Sequence, residues 1–249
     1  MPKRNVVLPA LAAASALLTA AAALLPGPLY AAEVLDLGTA FTLLLDAVPP
    51  LGIAAVALGA LCLGVALRRR ARGVAALGAA AALVGLAALL AVADFRRTAA
   101  ANPLHDVTTD LDAPPSFRAL EARRYAPGGP DARAAAPHPD WRATHAEIYP
   151  DLETLTLDAP LDQAFARARR AAEAMDWAIE AAEQTGTGAR LEAVDQTGWF
   201  GFRDDIVVVL RPAPAGGVAV DARSVSRIGV SDLGKNAERL RAFLARLAP

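Results

Sequence analysis

Three long apolar segments restrict the fold of this chain more than any other feature. They comprise residues 6–25, 48–67 and 74–93, and none contains an acidic or basic side chain. Each has the ~20 residues that a helix needs to cross the hydrocarbon core of a bilayer, where backbone amides must be satisfied within the segment. The sequence therefore predicts a transmembrane region over residues 1–97 with three helices.

The first apolar segment has a second interpretation, as a cleaved signal peptide. Lys3 and Arg4 precede it, and Leu29-Tyr30-Ala31 resembles a weak cleavage site. The apolar run is longer than the ~7–15 residues usual for a signal peptide, which favours a retained helix. Cleavage would leave the location of the C-terminal residues unchanged.

Charges beside the spans predict their orientation. Lys3 and Arg4 precede the first span and residues 68–72 place four arginines in the second connection, whereas the first connection holds only acids, Glu33, Asp36 and Asp46. Basic residues are retained on the cytoplasmic side of a membrane. We therefore expect a bacterial inner-membrane protein with a cytoplasmic N-terminus and with everything after Asp94 outside the cytoplasm.

The spans themselves are typical of an anchor and a small helical bundle. A transport path is usually marked by ionisable residues inside the membrane, and these segments have none. Five glycines are better explained as points where helices pack closely: Gly52, Gly59, Gly64, Gly78 and Gly85.

Residues 98–159 form a proline-rich connector that we expect to pack on a following domain. Nine prolines occur from Pro103 to Pro160, so long helices are excluded and residues 128–139 are predicted to be a loop. Near its start lies a group of polar side chains that are secondary site candidates: His105, Asp106, Thr108, Thr109 and Asp110. An exposed or turn-capping histidine is the alternative interpretation of His105.

Composition excludes two classes of function for the part of the chain after the spans. Residues 98–249 hold 17 basic and 22 acidic side chains, an acidic balance that argues against nucleic-acid binding. The single cysteine, Cys62, lies in an apolar span, so neither a disulfide framework nor a cysteine-rich metal site is expected. The lipid bilayer, an envelope protein or a small polar ligand remain as partners.

Residues 160–249 are predicted to form an α+β domain. Pro160 suits the first turn of a helix, apolar residues then alternate along four successive strands, and a second amphipathic helix covers about residues 235–247. Each helix needs an apolar surface to cover, so both should lie on one side of the sheet. The predicted fold is N-terminal transmembrane α-helices plus a C-terminal two-layer α+β domain, in the order helix, four-stranded antiparallel meander, helix.

Strand register predicts a polar cluster at one end of the covered face. A hairpin loop at residues 198–201 places Asp195 opposite Asp204, and a loop at 212–216 places Asp204 opposite Ser224. With the start of the last helix, this brings together Asp195, Asp204, Ser224, Ser226, Arg227, Asp232, Asn236 and Arg239. On the other face the same register pairs Asp205 with Arg223 as an exposed ion pair.

Two neighbouring carboxylates repel each other unless something neutralises them. A guanidinium from Arg227 or Arg239, a divalent cation bound at Asp195 and Asp204, or a proton held at a raised pKa would each serve. Asp232 is placed to cap the last helix or the turn before it, so part of the cluster could be structural. Trp199 and Phe200, at the tip of the first hairpin, are candidates for an interaction surface.

Several of these motifs resemble a known family. Asn102–Asp110 followed by Pro114-Pro115, then Thr197–Asp205, Asp221–Arg227 and Ser231–Asn236, are similar to the membrane-anchored bacterial branch of domain of unknown function 1499. The resemblance covers about residues 100–249 and implies an envelope domain behind a few transmembrane helices, without an accepted reaction, ligand or catalytic residue. Other branches have a cysteine-bearing segment where this chain has Leu104-His105-Asp106, so thiol chemistry is not expected here.

Three functions are compatible with these features. The first is a non-enzymatic envelope module that binds a partner protein, a lipid headgroup or a small polar ligand. The second is a metal-assisted hydrolase that uses the aspartate pair with His105 or His145, although the domain has no His-Glu metal motif, nucleophile elbow or glycine-rich phosphate loop. The third is a structural subunit of a membrane complex. The sequence favours the first.

Overall fold

The computed structural model describes residues 6–124 and 138–248. The chain divides into two compact units, one of Met1–Arg97 with Gly198–Gly201 and one of Thr98–Thr197 with Phe202–Pro249. Lys3 and Arg4, which contribute to the predicted orientation, lie outside the described residues, as does most of the predicted loop at 128–139.

The first unit contains the three predicted membrane helices. Its elements are α1 (Val7–Leu24), α2 (Pro26–Ala31), α3 (Leu37–Thr42), a π-helical turn (Leu43–Ala47), α4 (Val48–Arg68) and α5 (Arg72–Ala101). Three stretches are long and apolar enough to cross a membrane, Val7–Leu24, Leu37–Arg68 and Arg72–Ala101. The second stretch begins earlier than predicted because the π-helical turn joins α3 to α4 without a break. Pro49 and Pro50 do not interrupt it, since their missing N–H groups fall in the first turn of α4.

Four of the five glycines in the spans bring α4 and α5 into close contact. A Cβ atom on Gly59 would lie 2.5 Å from the backbone nitrogen of Ala82, and one on Gly85 would lie 2.5 Å from the carbonyl oxygen of Gly52. Gly78 faces Gly59 in the same way. For Gly64 the prediction is wrong, because a Cβ there would meet no atom within 4 Å.

The second unit is an α+β domain, as predicted, but its sheet is larger. Its elements are β1 (Asp106–Thr108), α6 (Ala119–Arg124), α7 (Trp141–Ile148), β2 (Leu155–Leu157), α8 (Leu161–Glu173), β3 (Ala178–Thr185), β4 (Gly188–Gln196), β5 (Arg203–Pro212), β6 (Val218–Ser226) and α9 (Lys235–Leu247). Within the described residues the sheet has six strands in the order β1-β6-β5-β4-β3, with β2 also paired to β6. The two additional strands come from the connector, where they fit between its prolines.

Both long helices of this domain cover the same face of the sheet. Phe165 and Ala168 of α8 and Leu240 and Phe243 of α9 belong to one buried core with inward-facing strand residues: Leu191, Ala193, Ile206, Val208, Leu210, Val218, Val220 and Ala222. Trp177 stacks on Phe243 with their ring centroids 5.0 Å apart. The alternation of apolar residues along β4–β6 thus places every second side chain under the helices.

The register of the first hairpin agrees with the prediction, and that of the second is displaced by two residues. Asp195 lies opposite Asp204, and Leu191 lies opposite Val208. In the second hairpin Asp204 faces Ser226 rather than Ser224, because β5 continues to Pro212, which pairs with Val218. An even displacement leaves each side chain on its predicted face, so the polar residues still converge.

The opposite face of the sheet is buried by the connector, and the exposed Asp205–Arg223 pair predicted there is wrong. Asp205 is 1% exposed and accepts hydrogen bonds from Arg227 at 2.8 Å. Arg223 instead donates to the two carboxylate oxygens of Asp106 at 2.8 and 2.6 Å. The displaced register separates the predicted partners, and β1 brings Asp106 beside β6.

Candidate functional site

Arg239 lies at the centre of the polar cluster on the helix-covered face. Its Nε donates to Asp195 Oδ2 and its Nη2 donates to Asp204 Oδ2, each at 2.7 Å. The guanidinium therefore bridges the two carboxylates that the strand register places side by side. Asp204 and Arg239 are 2% and 7% exposed, whereas the Asp195 side chain remains 29% exposed.

Asn236 extends this cluster along α9. Its Oδ1 accepts hydrogen bonds from Ser224 Oγ at 2.6 Å and from Arg239 Nη1, which also donates to Ser224 Oγ at 3.1 Å. Its Nδ2 donates to Ser226 Oγ at 3.0 Å and to the carbonyl oxygen of His105 at 2.9 Å. Asn236 is fully buried. Its side chain, on the first turn of α9, therefore connects that helix by hydrogen bonds to β6 and to the segment before β1.

Asp232 caps the start of α9. Its Oδ1 accepts from the Gly234 N–H and its Oδ2 accepts from the Asn236 N–H, both at 2.7 Å. Burial raises the pKa of this carboxyl, and the nearby charge of Asp204 adds to the rise, while the two backbone hydrogen bonds and Arg239 oppose it. Its contacts are those of a helix cap, one of the two roles that the sequence allows it.

Arg227 does not join the cluster. It follows Ser226, whose side chain faces the helices, so alternation turns Arg227 to the other face, where it pairs with Asp205. The cluster as the structure has it contains the remaining predicted members, and Arg239 is the arginine that contacts both aspartates.

The secondary candidates in the connector are distributed over different surroundings. Asp106 pairs with Arg223; burial alone would lower the pKa of that guanidinium, but the hydrogen bonds and charge of Asp106 raise it. Thr109 Oγ1 donates to Asp221 at 3.1 Å and accepts from the Ala222 N–H at 2.9 Å. Thr108 Oγ1 donates to the carbonyl oxygens of Asp110 and Ala222, and the Asp110 carboxylate accepts from Arg211 and from the Ala113 N–H. These four side chains are anchors of the connector.

His105 is different, because its ring has no partner in the part of the chain that the structure describes. The residue is 6% exposed, yet neither Nδ1 nor Nε2 has a hydrogen-bond partner there. Its backbone is fixed, since the carbonyl oxygen accepts from the Ser226 N–H and from Asn236, both at 2.9 Å. A residue whose backbone bonds to the polar cluster therefore carries a buried imidazole with two unsatisfied nitrogens.

His145 has a structural role at the free edge of β1. Its Nε2 accepts the Thr108 N–H at 3.1 Å, and Trp141 of the same helix donates from Nε1 to the carbonyl oxygen of Asp106 at 2.7 Å. These two side chains satisfy backbone groups of an edge strand. Burial lowers the pKa of His145, and the negative charge of Asp106 partly offsets that effect.

Two buried carboxylates on the opposite face were not predicted. Glu192 is fully buried and accepts the N–H groups of Arg118 and Leu120 at 2.8 and 2.9 Å. Asp221, also fully buried, accepts from Thr109, from Thr154 and from Arg211. Asp221 begins one of the motifs that resemble the family, but nothing in the strand pattern indicates that either acid is buried, because an acid in an alternating strand normally indicates a solvent-exposed face.

The aromatic tip is only partly exposed. Trp199 is 41% exposed and Phe200 is 6% exposed. Both belong to the first unit, with Gly198 and Gly201. Trp199 is thus the residue of this pair that is accessible for an interaction.

The polar cluster is held together by hydrogen bonds among its own members. Within residues 6–124 and 138–248, no three side chains among His, Cys, Asp and Glu are grouped so that they could hold a metal ion. Asp195 and Asp204 each accept a hydrogen bond from the guanidinium of Arg239, and Asp232 accepts from two backbone N–H groups. The group with unused hydrogen-bonding capacity beside the cluster is the His105 ring.

These features define a protein with three helices that can span a membrane and a two-layer α+β domain. The family described as protein of unknown function (DUF1499) matches residues 106–247, and the chain belongs to this family. No curated protein and no solved structure matches the chain.

Proposed function

We propose that this protein is a multi-pass membrane protein whose α+β domain is a non-enzymatic binding module of the bacterial cell envelope. The observation that carries the proposal is His105, a buried side chain with two unsatisfied ring nitrogens beside a polar cluster whose charges are neutralised internally. The ligand is a small polar molecule, or a polar group of a partner protein or lipid headgroup, that offers hydrogen bonds to this imidazole.

The energetics of His105 support a ligand. A neutral imidazole has one donor and one acceptor, and a buried polar group without a partner costs ~1–3 kcal/mol. A ligand that supplies an acceptor and a donor would recover much of that cost. The His105 carbonyl already accepts hydrogen bonds from Asn236 and Ser226, so ordering this backbone would cost little conformational entropy on binding.

The charge pattern supports an extracytoplasmic position for the domain. Four arginines lie in residues 68–72, between the second and third spans, and the connection after the first span has only acidic charges. Under the positive-inside rule this pattern supports an inner-membrane protein with the arginines in the cytoplasm and the residues after Asp94 outside. A reporter fused after Ala101 tests this: activity of a periplasm-dependent reporter is expected, and activity of a cytoplasm-dependent reporter would overturn the orientation.

Native mass spectrometry of the full-length protein in detergent micelles tests the binding role. Wild-type protein and the control variant His138→Phe, which alters a histidine outside the site, should carry the same small-molecule mass. His105→Phe should lose it, because a phenyl ring fills the space without donating or accepting. If His105→Phe binds the same mass, or if all three proteins lack it and His105→Phe is the most stable, His105 is a core residue and the proposal fails.

A metal-assisted hydrolase is the competing function, favoured by the partial exposure of Asp195. A divalent cation at Asp195 and Asp204 would have to replace the guanidinium of Arg239, whose bonds to both carboxylates measure 2.7 Å. A structural subunit is less favoured, since four of the span glycines are used for packing between α4 and α5 of the same chain.

A further inference from the structure

An open cavity lies beside the arginine turn of the first unit. It has a volume of about 740 Å³ and is formed by the beginning of α1, the end of α4 and the beginning of α5. Most of its wall is apolar, with Leu8, Cys62 and Val74 among the lining residues, but Arg69 and Arg72 also contribute. A large apolar space therefore has two arginines among its lining residues.

We propose that this cavity binds one anionic diacyl phospholipid, with an acyl chain among α1, α4 and α5 and the phosphate at Arg69 and Arg72. The helices around it are long and apolar enough to cross a membrane, so lipid would surround the cavity. Water does not fill apolar cavities, whereas an acyl chain restores the dispersion contacts of the walls.

The arginines determine which lipid fits. Among the described residues, neither the Arg69 nor the Arg72 side chain has a hydrogen bond or ion pair with another residue, and the turn 68–72 contains no acid. Guanidinium groups bind phosphate oxygens in a bidentate manner, and basic pockets between transmembrane helices are typical sites for anionic headgroups. Both residues lie at helix ends, where long basic side chains reach the headgroup region.

The same turn supplies a matched control. Arg68 and Arg70 belong to it but do not line the cavity. A general attraction between the turn and an anionic membrane would use all four arginines equally. A site for a bound lipid would depend on Arg69 and Arg72 far more than on the other two.

Gly73 allows the acyl-chain part of the site to be tested separately. It lines the cavity, and a Cβ atom added there would meet no other atom within 4 Å. A side chain at this position therefore starts in open space, so Gly73→Leu should occupy part of the cavity, and leucine favours helix more than glycine does. This variant retains every arginine.

Native mass spectrometry of the full-length protein, titrated with phosphatidylglycerol or phosphatidylcholine in detergent, tests the proposal. Wild type and Arg68→Gln/Arg70→Gln should retain one phosphatidylglycerol and bind phosphatidylcholine more weakly. Arg69→Gln/Arg72→Gln should lower the affinity for phosphatidylglycerol by about tenfold or more, given the contribution of each basic residue near an anionic lipid. Gly73→Leu should lower it as well, with all charges present.

Three results would overturn this site. They are equal losses in the two double-arginine variants, equal binding of the two lipids, and wild-type affinity in Gly73→Leu. If Arg69→Gln/Arg72→Gln fails to fold, the affinity of Gly73→Leu and the comparison of the two lipids still show whether the cavity binds an anionic phospholipid. The outcome is independent of the ligand at His105, because that residue belongs to the other unit.

Discussion

Replacing Arg239 by methionine should destabilise the α+β domain strongly. Methionine keeps an unbranched side chain of similar length but removes the guanidinium that bonds to Asp195, Asp204, Ser224 and Asn236. Asp204, which is 2% exposed, would be left without its counter-charge and with almost no contact with water.

The size of the effect follows from burial. Removing one partner of a buried ion pair typically costs ~3–5 kcal/mol, chiefly because the remaining charge is left unpaired. Asp195 contributes less to that cost, since its side chain is 29% exposed and can be hydrated. Arg239→Met combined with Asp204→Asn should therefore be more stable than Arg239→Met alone, although it carries one more substitution.

Urea denaturation of the full-length protein in detergent, followed by tryptophan fluorescence, measures this effect. Trp177 is 4% exposed and stacks on Phe243 of α9, so its emission reports on the core of the domain. Arg169→Met is the control, because Arg169 pairs with Glu173 on the surface of α8 with both side chains 53% exposed, and it should cost less than about 1 kcal/mol. Similar costs for Arg239→Met and Arg169→Met, or no recovery in the double variant, would refute the reasoning.

Three further predictions concern the rest of the molecule. Burial lowers the pKa of His145 below 6.5, so its contribution to the free energy of unfolding should be complete above pH 6.5 and should decrease as the pH falls below that value. The variant His145→Gln keeps a hydrogen-bond acceptor but does not titrate. Its urea midpoint should therefore fall less between pH 7.5 and 5.5 than that of the wild type. Gly59→Leu should lower the thermal midpoint in detergent by several degrees through the contact with α5, whereas Gly64→Leu should leave it nearly unchanged; equal effects would contradict the helix packing. Glu192→Gln should speed hydrogen exchange at residues 115–124 more than the exposed substitution Glu183→Gln does, and unchanged exchange would show that Glu192 does not hold this segment.

Residue patterns of sufficient length predicted much of this fold. Uninterrupted apolar runs located the three spans, and amphipathic spacing located α9 over Lys235–Leu247. Alternation along β4 and β5 determined which side chains face the helices, which was enough to bring Asp195 beside Asp204. Arg239 was expected near this pair as one of three means of neutralising it.

Features that depend on loop length or on very short segments could not be predicted. Any even displacement of β6 along β5 preserves the apolar pattern, and the glycines and prolines of residues 212–217 fit more than one loop. The predicted pairing of β5 with β6 therefore differs from the observed one by two residues. Strands of three residues, such as β1 and β2, are too short for a period to be recognised. The burial of Glu192 depends on the connector that covers it, and no local pattern indicates that contact.

Metal content together with the effect of Asp195→Asn tests the central claim most directly, namely that the guanidinium of Arg239 neutralises the two aspartates. Elemental analysis of full-length protein purified in detergent without chelators should find no stoichiometric divalent metal, and Asp195→Asn should leave that content unchanged. One divalent ion per chain in the wild type, lost in Asp195→Asn, would contradict the claim and favour metal-assisted chemistry at this site.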